Sequence, residues 1–212
     1  MPQWITNFTY KIECHAAQAG VVYRLASQYY RDVIQKEIVL ANITDKDHIL
    51  CVGGGICPFS GILFHQITGA RVTVIDNNEA CIPKARQVIN RLDIGDYVRV
   101  VCKDGGDGEM DLLGYSVIHL ALQVTPIDHV FSQIKERAAA GTRLLVRRPK
   151  RLLDDIYSKL PNPQLVCGPY VIHKSRNIGS TLMHIKQERP YEEKVDIDGI
   201  DSFTSVNCPV SA

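Results

Sequence analysis

The sequence predicts an α/β fold built on a mostly parallel, twisted sheet with helices on both faces. Five short apolar runs rich in β-branched residues alternate with segments of helical apolar spacing, a pattern typical of strand-helix-strand units. Two further runs near the end of the chain follow one another without a helix, which predicts an antiparallel C-terminal hairpin at the edge. With 212 residues, 45% of them hydrophobic, one domain with a sizeable core is expected.

The predicted elements follow one another in a regular order along the chain. Apolar residues at helical spacing from Tyr10 to about Leu40 predict one or two opening amphipathic helices. The five predicted strands are HILCV, RVTVID, YVRVV, YSVIHLAL and TRLLVR. The helices are predicted over Pro58–Ile67, Asn78–Leu92, Ile127–Ala139 and Pro149–Lys159, and the closing hairpin in QLVCGPYVIH and GSTLMHIK.

Three segments are expected from this pattern. Residues 1–45 are predicted to form a helical lid, and residues 46–187 a ligand-binding α/β domain. Residues 188–212 lose periodicity and carry acidic and turn residues, so they are predicted to be a partly disordered or surface-wrapping tail.

Charge and composition favour a small-molecule partner over nucleic acid or a membrane. Lys and Arg number 24 against 23 Asp and Glu, so the net charge of +1 offers no basic surface for nucleic acid or acidic lipid. The apolar runs are shorter than the about 20 residues of a membrane helix, and the N-terminus lacks a signal pattern, which predicts a cytoplasmic protein. Seven cysteines without a C-x-x-C pair are expected to be reduced core residues, not a metal site.

The stretch GGGICP comes directly after the first predicted strand, where an open parallel sheet forms its ligand crevice. Gly53, Gly54 and Gly55 let a ligand approach the backbone closely, and Pro58 suits the first turn of a helix. The second strand ends at Asp76, whose carboxylate can accept hydrogen bonds from both hydroxyls of a ribose, and Asn77 is the next residue. A glycine triplet alone is an ordinary tight turn, but together these features predict an adenosine-ribose site.

The residue at the third position of the glycine pattern discriminates between two nucleotide ligands. The dinucleotide fingerprint needs a third glycine where this chain has Pro58, which favours S-adenosylmethionine over NAD. Asp104 and Asp107 come after the third strand at the same crevice. There, one carboxylate could accept a hydrogen bond from an adenine amino group, or both could form a solvated acidic turn.

The end of the fourth strand lacks charged residues. Leu120, Ala121 and Leu122 are therefore predicted to form a dry wall next to the transferring centre. His119 is the titratable group there, and it is either a core histidine or a base.

These stretches resemble a known family. VGGGICPFSGILF, ARVTVID, SVIHLALQV, GTRLLVRRPKRLL and NIGSTLMHIK are similar to the catalytic domain of nicotianamine synthases, especially the archaeal and bacterial nicotianamine-synthase-like enzymes. That family belongs to the class I S-adenosylmethionine-dependent methyltransferase superfamily, and the similarity runs from about Gln28 to Lys186. The resemblance implies a Rossmann-like fold with S-adenosylmethionine as cofactor. By the same resemblance, the cofactor residues are Gly53, Gly55, Pro58 and Asp76, Asp104 faces adenine, and Arg147 lies on the acceptor side.

The chain departs from the family at its start. The archaeal enzymes carry a separate helical domain before the core, whereas about 50 residues precede the glycines here, so a truncated acceptor pocket is expected. If the opening helices are too short to seal the crevice, a homodimer is expected to supply the lid.

The sulfonium of S-adenosylmethionine allows two transfers, since attack on the methyl carbon or on the γ-carbon of the amino-acid arm expels a neutral thioether. An attacking amine must lose a proton, and Tyr23, Tyr30 and Glu37 are the candidate proton acceptors, with a packed aromatic stripe and a solvated glutamate as the alternative. Arg147 begins RRPKR, either a carboxylate clamp or a solvated helix start.

The lead hypothesis is an S-adenosylmethionine-dependent transferase acting on a small amine or amino-acid-like acceptor, by methyl or aminocarboxypropyl transfer. Two rival hypotheses remain. One is a binding or assembly module that keeps the nucleotide crevice without turnover, and the other is an NAD-dependent oxidoreductase.

Overall fold

The computed structural model of the protein describes residues 20–153, 156–157 and 168–188, with the backbone alone for residues 20–26. The side chain of Tyr23, the predicted tail beyond residue 188, and residues 154–155 and 158–159 of the helix predicted over Pro149–Lys159 lie outside the described residues. Within the described part of the chain, no helix combines the length and apolar character needed to cross a bilayer.

A seven-stranded sheet organises the molecule. Its strands are β1 (His48–Val52), β2 (Arg71–Asp76), β3 (Val98–Cys102), β4 (Val117–Leu120), β5 (Arg143–Pro149), β6 (Tyr170–Ile172) and β7 (Ile178–Ile185). They lie in the order β3-β2-β1-β4-β5-β7-β6, with β1 to β5 parallel and β7 antiparallel to both β5 and β6. The predicted mostly parallel sheet with an antiparallel C-terminal hairpin is confirmed. Because the chain order reverses between β1 and β4, a crevice opens at the carboxyl ends of these two strands.

Among the described residues, four α-helices cover the sheet. They are α1 (Gly20–Ala41), α2 (Phe59–Thr68), α3 (Ile82–Arg91) and α4 (Ile127–Arg137). Helix α2 begins directly after Pro58 and ends at Gly69, which takes the left-handed conformation with φ 79°. A 3-10 turn over Glu79–Cys81 precedes α3, and the Asn78 side chain caps it by accepting from the Ala80 amide at 3.1 Å.

Successive side chains of each strand point to opposite faces of the sheet, so hydrophobic side chains are buried on both faces. On β1, Ile49 and Cys51 pack with α1, α2 and α3, while Leu50 and Val52 pack with α4 on the other face. Leu120 belongs to the α4 side, where it is 1% exposed. The sheet is therefore buried on both faces, as a doubly covered parallel sheet requires.

The segment after Arg147 differs from the prediction. Instead of starting a helix at Pro149, the chain continues β5 to that residue, because Arg147 pairs with Thr181 and Arg148 with Ser180 on β7. Only a short 3-10 turn, Arg151–Leu153, comes next among the described residues of this segment.

Polar contacts attach α1 to the sheet at several points along the helix. At its C-terminal end, the Arg143 guanidinium donates to the Ala41 carbonyl and forms an ion pair with Asp47. Closer to its N-terminus, the Tyr29 hydroxyl accepts from the Arg176 amide at 2.8 Å. These contacts hold α1 across the face that leads to the crevice.

Candidate functional site

The glycine turn after β1 packs directly against the end of β2. Gly53 and Gly55 have φ values of 83° and 62°, a region that favours glycine, and the Gly53 amide donates to the Ile75 carbonyl at 2.9 Å. Gly54 is constrained differently, since an added Cβ would lie 2.2 Å from Cγ1 of Val74. Bare backbone at this turn is thus required partly by conformation and partly by close packing.

Asp76 ties the glycine turn to the start of the next helical segment. Its Oδ2 accepts from the Gly55 amide at 2.7 Å and its Oδ1 accepts from the Asn78 amide at 2.9 Å. Each carboxylate oxygen has two lone pairs, so both keep capacity to accept another hydrogen bond. The carboxylate is half-buried at the edge of a cavity, which leaves this capacity available to a ligand.

This first cavity has a volume of about 270 Å³ and lies beyond the carboxyl ends of β1, β2 and β3. Five of the residues that the sequence offered as nucleotide-binding candidates line it, namely Gly53, Gly55, Asp76, Asn77 and Asp104. Asp107 does not line this cavity, which separates it from Asp104. Both side chains accept from the amide two residues further on, Asp104 from Gly106 at 2.8 Å and Asp107 from Glu109 at 2.9 Å.

A second cavity, of about 90 Å³, lies between α1 and the sheet. It shares Val52, Gly53 and Gln123 with the first cavity, so the two are adjacent. Among the predicted site residues, this cavity is lined by Gly53, Gly54, Pro58, Ala121, Leu122, Tyr30, His119 and Arg147. The predicted dry wall is therefore only partly present, because Leu120 points into the core on the other face of the sheet.

Aromatic rings form the α1 side of the second cavity. The Tyr30 ring is stacked on Phe59 with centroids 5.5 Å apart, and the Arg147 guanidinium lies 5.9 Å from the Tyr30 centroid. Tyr29 contacts Tyr30 edge to face at 5.1 Å. Tyr30 is therefore packed between aromatic rings and also borders a cavity, while the side chain of Tyr23, the other member of the predicted aromatic stripe, is not described.

Glu37 lies behind the second cavity and is not a solvated glutamate, since it is 0% exposed. Arg147 binds it bidentately, with Nε to Oε1 at 2.8 Å and Nη2 to Oε2 at 2.9 Å. The Thr181 hydroxyl also donates to Oε1, at 2.6 Å. The remaining terminal nitrogen of Arg147 donates to the Ser60 hydroxyl at 2.9 Å. The two charges are thus buried as a hydrogen-bonded pair, the condition under which burial is tolerated.

The electrostatics of this pair keep Glu37 ionised. Burial by itself raises the pKa of Glu37, but the charge of Arg147 and its hydrogen bonds to the carboxylate outweigh burial and hold the pKa well below its usual range. A carboxylate with a depressed pKa is a poor proton acceptor at neutral pH. Its position suits holding Arg147 and facing His119 better than direct proton transfer.

His119 faces the same pair from β4. Its Nε2 lies 3.7 Å from Oε2 of Glu37, beyond hydrogen-bond distance, and its ring meets the edge of Phe64 with centroids 5.4 Å apart. Burial and the charge of Arg147 lower the pKa of His119, whereas Glu37 opposes that shift, so the imidazole is neutral at pH 7.

Sequence reasoning missed two members of this arrangement, Ser60 and Thr181. Ser60 lies two residues after Pro58 in the stretch PFSG, so its place near the crevice was available from the motif. Thr181 gave no local signal, because its role comes from β7 pairing next to β5.

No protein-family model matches the sequence, and no curated protein matches it significantly. Solved structures do resemble it. A mutant of MtNAS in complex with S-adenosylmethionine superimposes with a TM-score of 0.73 at 20% identity over 88% of this chain and 76% of that one. MtNAS in complex with MTA and tNA gives 0.73 at 21% identity, over 88% and 74%.

A third structure is an RNA methyltransferase from Salinibacter ruber in complex with S-adenosyl-L-homocysteine. It gives a TM-score of 0.60 at 17% identity, over 76% of this chain and 95% of that chain. At identities between 17% and 21%, these likenesses establish the fold. The chain therefore has a Rossmann-like fold of the kind seen in MtNAS and in this RNA methyltransferase.

Proposed function

We propose that the protein is an S-adenosylmethionine-dependent transferase acting on a small amine or amino-acid-like acceptor, by methyl or aminocarboxypropyl transfer. The observation that carries this proposal is the Asp76 carboxylate, fixed by the Gly55 and Asn78 amides at the edge of the first cavity with lone pairs to spare. The proposal is also supported by structural neighbours of the same fold that bind S-adenosylmethionine or S-adenosyl-L-homocysteine.

The first cavity suits the adenosine part of the cofactor. Asp76 would accept hydrogen bonds from the ribose hydroxyls, Asn77 lies beside it, and the exposed carboxylate of Asp104 would accept from the adenine amino group. The glycine turn admits the ligand close to the backbone, because no side chain of Gly53 or Gly55 occupies that edge. When bound, the cofactor supplies a sulfonium whose neighbouring carbons are open to nucleophilic attack.

The second cavity suits the acceptor. It adjoins the first at Gly53, and Ala121 and Leu122 provide apolar wall at that junction. Tyr30 lines it from α1, and we propose that this side chain contacts the acceptor. Tyr23 stays a prediction from the sequence. Excluding water and fixing the acceptor next to the cofactor supply much of the rate in such a transfer.

Arg147 and Glu37 give this cavity a positive and a negative charge that cancel. Three of the five N–H groups of Arg147 are used by Glu37 and Ser60, which leaves two for an acceptor carboxylate. We propose that Arg147 binds the acceptor through these two, and that Glu37 acts through Arg147 as a positioning residue. Residues 27–41 of α1 would then serve as the lid over the acceptor.

Calorimetric titration of S-adenosylmethionine into the Asp76→Ala variant tests the cofactor site. We expect the Kd to rise about 10-fold to 100-fold, because hydrogen bonds to a charged group are worth roughly 1.5–3 kcal/mol each. Asp76→Asn keeps one acceptor oxygen and should lose less affinity. The control is Asp96→Asn, an exposed carboxylate before β3, which should leave the Kd unchanged. Equal affinity in Asp76→Ala and the unchanged protein would contradict the ribose assignment.

The by-product identifies the reaction. The protein is incubated with S-adenosylmethionine and glycine, glutamate, ethanolamine or putrescine, and the nucleoside product is identified by mass spectrometry. S-adenosylhomocysteine indicates methyl transfer, and methylthioadenosine indicates aminocarboxypropyl transfer. Binding of S-adenosylmethionine without either by-product would favour the binding module, and tighter binding of NAD would favour the oxidoreductase.

A further inference from the structure

His119 carries two buried ring nitrogens that have no hydrogen-bond partner among the described residues. The side chain is 0% exposed, and both Nδ1 and Nε2 are unpartnered. A buried polar group left unpaired costs folding free energy, so such a group in a native structure needs an explanation. The ring lines the second cavity, so a molecule that fills this cavity lies beside the imidazole.

The groups that face His119 come from every element packed around it. Its neighbours are Glu37 and Tyr30 on α1, Arg147 on β5, Cys51 on β1 and the apolar ring of Phe64 on α2. Burial raises the pKa of the Cys51 thiol, so that group stays protonated and neutral. Glu37 and Arg147 are therefore the charged groups that decide the protonation of the imidazole.

Glu37 also decides which neutral form of the ring is preferred. Its carboxylate is ionised and can only accept, so the tautomer with hydrogen on Nε2, which lies 3.7 Å from Oε2, is favoured over the one with a lone pair there. This tautomer leaves the lone pair on Nδ1. A carboxylate behind an imidazole both orients the ring and stabilises the imidazolium that forms when the ring takes a proton.

We propose that His119 accepts the proton that the acceptor's ammonium group must lose before it attacks, with Glu37 as its positioning residue. This inference rests on the proposed transferase function. In the step, the N–H bond breaks and its proton moves to the imidazole, leaving a lone pair on the amine. That lone pair forms a bond to a carbon next to sulfur, and the carbon–sulfur electron pair leaves on the neutral thioether.

Glu37 is less suited to this proton transfer than His119. Glu37 has its oxygens occupied by Arg147 and Thr181 and is held ionised by the guanidinium. Both groups are unprotonated at neutral pH, but a proton on Glu37 would leave Arg147 buried without its counter-charge, whereas the neutral imidazole of His119 can take up a proton without breaking that pair.

The test compares by-product formation by the unchanged protein, His119→Phe and His119→Gln between about pH 6 and pH 10, using glycine, glutamate, ethanolamine and putrescine. At about pH 7, both variants should lose roughly 10²-fold to 10⁴-fold in kcat while the Kd for S-adenosylmethionine stays within about twofold. As the pH approaches about 10, the amine becomes neutral in solution, so the deficit of both variants should shrink. The matched control is His48→Gln at the opposite end of β1, which should retain the parent profile.

The outcomes separate the two claims. If the parent protein forms a by-product and His119→Phe is equally active at every pH, the role of His119 is overturned. The proposed transferase function is then unaffected. A loss of kcat in His119→Phe that is the same at all pH values would also overturn this role. A packing defect would lower kcat equally at every pH, whereas loss of the base should matter less as the pH approaches about 10. A parent protein that binds S-adenosylmethionine but releases no by-product with any of the four amines would overturn both.

Discussion

Three consecutive glycines come after β1, two of them required by backbone conformation and the third by close packing. Gly53 and Gly55 adopt positive φ, which an L side chain rarely does. Gly54 instead leaves room for Cγ1 of Val74, a buried side chain of β2 that cannot swing away. The turn therefore requires glycine both for its positive φ angles and for its close packing against β2.

We expect Gly54→Ala to destabilise the protein by roughly 1–3 kcal/mol, because overpacking a filled site forces its neighbours to shift. The change should also weaken S-adenosylmethionine binding, since the turn would move relative to Asp76. Urea unfolding and calorimetry measure the two effects. Gly114→Ala is the control, because a Cβ there meets nothing within 4 Å, and its stability should stay within about 0.5 kcal/mol. Equal stability of the two variants would contradict the packing argument.

Residues directly after a strand end could be placed from the sequence, and partners distant in the chain could not. Asp76 was predictable because the carboxyl ends of neighbouring parallel strands meet at one edge of the sheet. The contact between Glu37 and Arg147 joins residues 110 positions apart, and local periodicity carries no information on such a pair. His119 was recognised, but which face of β4 it occupies was settled only by the packing of Phe64.

At the scale of elements, the buried pair joins α1 to two strands at once. Glu37 on α1 binds Arg147 on β5 and Thr181 on β7, and Thr181 in turn contacts His173 Nε2 at 2.8 Å. Because Thr181 gives its only hydroxyl hydrogen to Glu37, it must accept one from His173. Helix α1, which borders the second cavity, is thus attached to the antiparallel part of the sheet.

This fastening predicts a specific pH dependence of stability. The folded pKa of Glu37 lies below its ordinary value of 4.5, so its contribution is complete above about pH 4.5 and is lost as the pH falls below it. We expect the free energy of unfolding to fall between about pH 5 and pH 3, and to fall less steeply in Glu37→Gln. The variant should also lose roughly 3–5 kcal/mol at neutral pH, because Arg147 is left buried without a counter-charge.

Urea unfolding at several pH values measures these differences. Glu79→Gln, an exposed residue of the 3-10 turn before α3, is the control and should keep the parent slope. Parallel pH profiles for the parent and Glu37→Gln would contradict the depressed pKa.

Strands were easier to predict than the segment after β5. The apolar runs of β1 and β2 match the structure at both ends, since burial on both faces selects continuous β-branched sequences. Pro149 was wrongly predicted to start a helix, because the pairing of Arg147 and Arg148 with β7 keeps the backbone extended. Local propensity cannot report such a tertiary constraint.

At the scale of the whole molecule, two adjacent cavities occupy the crevice, and we propose the first for the nucleoside and the second for the acceptor. They meet at Val52, Gly53 and Gln123, where β1 and the segment after β4 come together. A ligand that fills both cavities contacts most elements that converge on the crevice, so it should stabilise the fold as a unit.

We expect S-adenosylmethionine at about 100 times its Kd to raise the free energy of unfolding by about 2.7 kcal/mol. For a chain of this length, the Tm should rise by roughly 5–11 °C, which differential scanning calorimetry measures. NAD at the same concentration is the control and should leave the Tm unchanged. A larger shift with NAD than with S-adenosylmethionine would contradict the cofactor assignment.

The position of β7 has a consequence for how the chain is made. It is the last described strand in the chain, yet it lies inside the sheet between β5 and β6. During synthesis, β1 to β5 emerge from the ribosome first, and the outer edge of β5 stays open until residues 178–185 arrive. The carboxylate of Glu37 under α1 therefore gains its threonine donor only after this late insertion, so the buried pair behind the second cavity is completed among the last steps of folding during synthesis.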